Sequence, residues 1–370
     1  MPQHYRHWLV LAHAHVRVSE LLALLDLFGD AAAIVGQPLA RLREAGLSEE
    51  KCDAIASPNE GAIDKALAWL EVEGHHLVTW DDDDYPAMFR EIPGPPLLLY
   101  VNGDPSLLQL PALAIIGSRN PTQGGARNAR EFARHLASRG FVIVSGMAQG
   151  IDAEAHRGAL DAVGKTIAFL GTGIDRVYPA VNRELAHEIA SRGALVTEYP
   201  LGAAPERWHF PERNRLISGL TLGTVVVEAA RRSGSLITAR LAGEQGREIF
   251  ALPGSIHNPL SRGCHELIRQ GAKLVETAGD ILSELGPLVG HMQAVAEQPA
   301  EAMAATPDTD DDYDELRRVL SYDPMSIDEL EKQSGLTIDQ LSSMLLILEL
   351  HGEVESLSGG RYVKKEPLQA

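Results

Sequence analysis

Along the first seventy positions hydrophobic residues recur at helical spacing in short bursts. Leu21, Leu22, Leu24, Leu25 and Phe28 form one burst before a break at Gly29-Asp30, and Leu42, Leu47 and Ile55 continue the pattern around Gly46. This predicts a small helical domain over residues 1–70, SAM-like or helix-hairpin-helix-like, read as a packing module rather than a DNA reader. Residues 81–96 break the pattern with Asp81 to Asp84, Tyr85-Pro86 and Pro93-Gly94-Pro95-Pro96, an acidic turn and a proline-rich connector. From Ala112 the period changes. Apolar runs at Leu113–Ile116, Phe141–Val144, Thr166–Leu170, Ala194–Val196, Thr224–Val227 and Ile249–Leu252 alternate with helical patterns such as Ala126–Ser138, Arg183–Ser191 and Leu236–Glu244. Short continuous apolar strands between helices predict a doubly wound parallel sheet covered on both faces. The expected α/β domain spans residues 71–288.

Residues 289–308 have no strong period and read as a linker; 309–370 read as a third domain. There Ser326 and Glu329, then Thr337 and Gln340, make capping-box pairs around Gly335. Val354–Leu357, a Gly359-Gly360 turn and Tyr362-Val363 follow, which is the order of a winged helix. The expected recognition helix, Thr337 to Leu350, contains no Lys or Arg. A duplex-reading helix needs cationic or amide side chains aimed at phosphates and bases, so this domain is expected to contact protein instead.

Composition narrows the class. Hydrophobic residues are 45% and charged residues 23%, ordinary for a globular chain. No apolar run approaches the ~18 residues of a membrane span, and the N-terminal stretch is too short for a signal peptide. Two cysteines, Cys52 and Cys264, can build neither a disulfide framework nor a four-cysteine zinc site, and a cytoplasmic location is expected. The net charge of −18 is unevenly spread: −10 over residues 1–109, +3 over 110–285 and −11 over 286–370. A mildly basic middle between acidic ends can mark where a polyanion binds. Eighteen of its twenty cations are arginine, suited to bidentate phosphate contacts, although a GC-rich genome gives the same bias.

Several motifs fail on inspection. Gly164-Lys165-Thr166 resembles the end of a P-loop, but Ala159 stands where its first glycine belongs and a strand follows where a helix is needed. Gly171-Thr172-Gly173 has Arg176 where a dinucleotide fingerprint has its third glycine, and His265-Glu266-Leu267-Ile268-Arg269 lacks the second histidine of a zinc protease helix. No metal or cofactor is expected. Asp152 and His156, four apart at a helix start, could pair as acid and base, though a helix-terminal Asp capping free N–H groups is the more common arrangement.

Loops at strand ends carry more. Ile116-Gly117-Ser118-Arg119 follows the first strand of the α/β region, and Ser145-Gly146-Met147-Ala148-Gln149-Gly150-Ile151-Asp152 follows the second and opens a helix. Glycines there let backbone approach a ligand, and a helix N-terminus favours phosphate. Arg207-Trp208-His209-Phe210-Pro211-Glu212-Arg213-Asn214-Arg215 interleaves cations with aromatics, which suits phosphates and stacked bases of a single strand.

These segments, with Tyr178-Pro179, Glu198-Tyr199-Pro200, Val227-Glu228, Ser233-Gly234-Ser235-Leu236-Ile237-Thr238-Ala239 and Leu252-Pro253-Gly254, resemble the DprA/Smf family of DNA-processing proteins over essentially the whole chain. The resemblance implies an extended Rossmann-like core that binds single-stranded DNA, dimerises through that core, and helps load the RecA recombinase onto DNA entering during natural transformation. It places DNA contacts at Gly117, Ser118, Arg119, Ser145, Gly146, Gly150, Arg207, Phe210, Arg213, Asn214 and Arg215, with Arg119 on phosphate and Phe210 under a base. It implies no catalytic residue, cofactor, metal or membrane anchor. The alternative is a phosphoribohydrolase on the same sheet acting on nucleoside monophosphates. That chemistry needs a glutamate which the stretch Arg232–Arg240 does not contain.

Overall fold

The computed structural model describes residues 2–286, 316–321, 325–337, 341, 344–345, 348, 354–357 and 361–364. Six helices come first: α1 (Pro2–His13), α2 (Val18–Phe28), α3 (Ala31–Val35), α4 (Leu39–Glu44), α5 (Glu49–Ala56) and α6 (Glu60–Leu70). Their starts follow the caps in the sequence. Asp30, Ser48 and Asn59 accept from the backbone N–H groups of Ala33, Lys51 and Ala62. The apolar stripe of α2 buries Leu21 and Leu24 among Trp8, Leu11, Ile34, Leu42 and Ile63. This core runs without interruption into the sheet, and Met1–Gly290 forms one compact unit.

The sheet has nine strands: β1 (His75–Thr79), β2 (Leu98–Gly103), β3 (Ala112–Ile116), β4 (Val142–Ser145), β5 (Thr166–Phe169), β6 (Ala194–Thr197), β7 (Gly223–Val226), β8 (Glu248–Ala251) and β9 (Lys273–Leu274). Their order is β1-β2-β6-β5-β4-β3-β7-β8-β9. Every pairing from β6 to β9 is parallel, whereas β1 with β2 and β2 with β6 are antiparallel. All residues of β3 to β7 are buried, which explains their unbroken apolar runs. The expected doubly wound sheet is present, with an antiparallel edge that the apolar pattern from Ala112 onward did not include.

Connecting helices are the single turn α7 (Ala87–Arg90), then α8 (Gln123–Ser138), α9 (Ile151–Asp161), α10 (Arg183–Arg192), α11 (His209–Gly219), α12 (Gly234–Glu244) and α13 (Arg262–Arg269), with a further helix at 278–286. The winding reverses between β3 and β7, so loops after both strands diverge at the carboxyl edge and leave a crevice there. Among the described residues no helix is long and apolar enough to cross a membrane.

His291–Ala370 forms the second unit. Its strands β10 (Met325–Ser326), β11 (Val354–Leu357) and β12 (Arg361–Lys364) make an antiparallel sheet in the order β10-β12-β11. The capping box at Ser326 and Glu329 opens the helix Ile327–Ser334, and Gly335 ends it at φ 71°. Leu341, Leu345 and Leu348 are helical and buried with Leu316, Leu330 and Val354, the packing expected of a winged helix. The linker at 289–308, most of the expected recognition helix after Thr337, and the Gly359-Gly360 turn lie outside the described residues.

Candidate functional site

At the carboxyl ends of β3, β4 and β5 a cavity of about 230 Å³ opens to solvent. Arg119, Met147, Ala148, Gln149, Gly171, Tyr178, Pro179, Phe210 and Arg213 line it. Each wall comes from a different strand-to-helix connection, which is why residues so far apart in the chain meet. The β3 loop carries Gly117, Ser118 and Arg119. Arg119 is exposed and forms no ion pair or hydrogen bond through its side chain among the described residues. Its charge is therefore free to meet an anion.

The β4 loop passes beneath. Gly150, at φ 82°, starts α9 so close to the β3 loop that a Cβ would stand 2.4 Å from the Ser118 carbonyl oxygen and 2.7 Å from that of Arg119. The Ile151 N–H donates to Ser118 O at 3.1 Å, locking the two loops together. Gly146 makes room for charge: a Cβ there would lie 2.7 Å from both Arg213 Nη1 and Asp152 Oδ2. Ser145 is fully buried and donates its hydroxyl to Ile115 O at 2.7 Å, tying β4 to β3 below the cavity.

The segment 207–215 divides over a helix that its charge pattern alone did not reveal. Arg207 and Trp208 are exposed at the entrance to α11, with Trp208 57% exposed and its ring against His209 at 4.1 Å. Phe210 is half-buried in the first turn. Its ring lies over Gly171 and 5.6 Å from the Tyr178 ring, tilted by 41°. One turn on, Arg213 faces the same way but is buried. It donates to Phe169 O, and its Nε bonds Asn214 Oδ1 at 3.3 Å. Arg215 turns away from the cavity to an ion pair with Glu198. Of the eleven residues expected to meet DNA, the structure thus lines the cavity with Arg119, Phe210 and Arg213. Gly117, Ser118, Gly146 and Gly150 stand in the loops around it, and Arg207 is in the exposed approach. Ser145, Asn214 and Arg215 spend their side chains on protein partners.

Electrostatics under the floor are set by burial. Burial raises the Asp152 carboxyl from 3.8 to about 6, with the Arg213 guanidinium pulling it back down. Burial also lowers Arg213's hold on its proton, and Asp152 opposes that shift. His156 is no partner for Asp152. Its Nε2 meets Gly146 O and its Nδ1 meets Thr166 Oγ1, each at 2.7 Å. Burial lowers its pKa to about 4, so near neutrality it is uncharged. Nε2–H then donates to the Gly146 carbonyl, while the Thr166 hydroxyl beside Nδ1 donates to Ile143 O at 2.6 Å. The acid–base pair suggested by their spacing is not formed.

Six cavity residues, Met147, Ala148, Gln149, Gly171, Tyr178 and Pro179, are not among the expected DNA contacts. Tyr178 and Pro179 were legible only as a motif, joined by a cis peptide bond, and Gln149 as a loop position. Only the fold brings Tyr178, on the connection after β5, beside Phe210 on α11. Glu228, another motif residue, is structural. It accepts from Thr122 N at 2.9 Å and Thr122 Oγ1 at 2.7 Å at the start of α8.

A family model described as DNA recombination-mediator protein A matches residues 76–286, over half of the chain, and a DprA winged helix domain matches 299–360. The chain belongs to the DNA recombination-mediator protein A family. Relatives include Protein Smf of Escherichia coli, 38% identical over 93% of this chain and 94% of that protein. The DNA processing protein DprA of Streptococcus pneumoniae is 47% identical over 55% of this chain and 72% of that one. The crystal structure of the S. pneumoniae family member aligns at a TM-score of 0.66 with 37% identity, covering 74% of this chain and 95% of that one. DNA processing protein A of Helicobacter pylori, a family member solved for its single-stranded DNA binding mode, aligns at 0.52 with 34% identity, covering 57% and 95%.

Proposed function

We propose that this chain binds single-stranded DNA in the cavity at the carboxyl edge of its sheet. The observation that carries the reading is one pocket holding a half-buried Phe210 ring, an exposed Tyr178 ring and an unpaired Arg119. Rings take bases and the guanidinium takes a phosphate, the combination suited to a single strand. Arg207 extends the phosphate track; Gly117, Ser118, Gly146 and Gly150 let backbone approach the strand. Arg213 supplies charge from below, braced by Asn214, while Ser145 and Arg215 hold the frame. The names of the S. pneumoniae and H. pylori relatives, which concern DNA processing and single-stranded DNA binding, support the same reading. The wider role follows the family resemblance: a cytoplasmic homodimer that protects DNA entering during natural transformation and helps load RecA, with residues 71–288 as the DNA-binding domain between the helical domain at 1–70 and the winged helix after the 289–308 linker.

The test is competition between single-stranded and duplex oligonucleotides on the full chain and on Phe210→Ala. Single strands should win. The variant should lose ~1–3 kcal/mol of binding, the usual yield of one stacked base, with little change in melting temperature. Phe210→Trp should restore the loss. Duplex preference, or release of free base from nucleoside monophosphates, overturns the proposal.

A further inference from the structure

A second hollow lies on the same compact unit. Arg231, Arg232, Glu266, Arg269 and Gln270 line it; it is wide, open to solvent and about 540 Å³ in volume. The side chains of Arg231, Arg232 and Arg269 are exposed and make no ion pair or hydrogen bond among the described residues. Three guanidinium groups face a single carboxylate, Glu266, so the hollow carries a positive surplus that the protein leaves unanswered. No aromatic ring lines it, so it offers a base nothing to stack on. Its chemistry is that of a phosphate seat, since the planar, always charged guanidinium matches phosphate oxygens in pairs.

Its position connects it to the cavity. Arg231 and Arg232 stand on the loop after β7, and β7 lies directly beside β3. The loops leaving those strands are joined: Ser235 Oγ donates to Gly117 O at 2.7 Å, and Val227 N donates to Ile116 O at 3.1 Å. Gly117 begins the loop that carries Arg119 into the cavity. Arg119 of the cavity thus comes from the β3 side of the junction where the winding reverses, and Arg231 and Arg232 of the hollow from its β7 side.

We propose that the hollow formed by Arg231, Arg232 and Arg269 is a second seat for the phosphodiester backbone of the single strand whose bases enter the Phe210 cavity. This rests on the single-strand reading above and extends it across the β3–β7 junction. The cavity grips bases and backbone together; the hollow grips backbone alone and is blind to sequence.

The experiment uses the full chain and the triple variant Arg231→Gln, Arg232→Gln, Arg269→Gln. Glutamine keeps much of each stem, and none of the three side chains has a bond to lose, so the melting temperature should hold. Two oligothymidylates are titrated, of about 5 and about 20 nucleotides, near the ends of the ~4–16 nucleotide range of single-strand sites. The short one should bind parent and variant alike. The long one should bind the variant about tenfold more weakly at low salt. Its log affinity should also fall less steeply with log salt, by about 2, since each lost phosphate contact removes ~0.7 from the slope. Equal loss for both lengths, or no loss for the long one with an unchanged slope, overturns the proposal. Inorganic phosphate separates a free-anion site from a backbone site. Competition by millimolar phosphate that the parent shows and the variant lacks, beyond its effect on ionic strength, also overturns it. If Phe210→Ala loses affinity and the triple variant does not, the hollow fails and the cavity stands; if the parent binds neither oligonucleotide, both fall.

Discussion

Arg119 and Asp152 stand on opposite sides of the cavity floor, and each has a measurable consequence. Arg119 offers an exposed, unpaired guanidinium from the β3 loop. Arg119→Ala should weaken single-strand binding by ~1.5–3 kcal/mol, uniformly across sequences, if a charge-assisted bond to phosphate is lost. Arg119→Lys should recover only part, because the planar fork is gone. Filter binding with several oligonucleotide sequences checks this, and unchanged affinity in a folded alanine variant would remove Arg119 from the site. Asp152 acts on stability. Burial holds its folded pKa near 6 against an ordinary 3.8, so the folded state favours the protonated acid. The contribution to stability is present below about pH 4 and is lost as pH rises through about 6. Asp152→Asn cannot ionise and should escape that loss. Its unfolding free energy relative to the parent, from denaturant titrations, should climb between about pH 4 and 7, on the order of 3 kcal/mol in all, whatever constant offset the unbalanced Arg213 adds. His156 titrates in both proteins and cancels in the difference.

At the scale of elements, strands β3 to β7 were legible because each is buried on both faces and reads as an unbroken apolar run. The antiparallel edge was not. β1 reads His75-His76-Leu77-Val78-Thr79 with its first two residues half-buried, and β2 begins at Leu98, one residue beyond Pro95-Pro96, so local turn chemistry masked the pairing. α11 was hidden for another reason: its sequence mixes Pro211 and charged residues, and burial of Arg213 makes no apolar stripe. Phe210 and Arg213 were therefore legible as residue types, while their division between cavity and floor needed the helix. Glu228 shows an element held by one distant side chain. It receives the Thr122 N–H and hydroxyl where α8 begins, and is itself buried. Glu228→Ala should leave those donors unmet and cost ~1–3 kcal/mol of stability by chemical denaturation. Binding by the folded fraction should persist, and a selective loss of DNA affinity would instead make Glu228 part of the site.

For the whole molecule, charge is the organising variable. Acidic segments of −10 and −11 bracket a +3 middle, so the arginines of the sheet edge act against a background that repels polyanions. Removing residues 309–370 takes away acidic charge and an expected recognition helix without Lys or Arg. Single-strand affinity should then stay within a few-fold of the parent, measured at one fixed salt concentration because long-range repulsion is screened by ions. A tenfold loss would show that the winged helix touches DNA.

Arg213 gives the cavity a property that surface arginines cannot. Its guanidinium is sunk under the floor, bonded to Phe169 O, where mobile ions do not follow. Charges at the rim are neutralised as salt is added, but a buried charge is screened far less. The floor thus behaves like an electrode sealed behind an insulator: it draws current from nothing in solution, yet keeps its potential. Affinity for a single strand should fall with salt and then level off; the plateau, absent in Arg213→Met, should rise as pH falls through about 6, where Asp152 is protonated and stops offsetting the sealed charge.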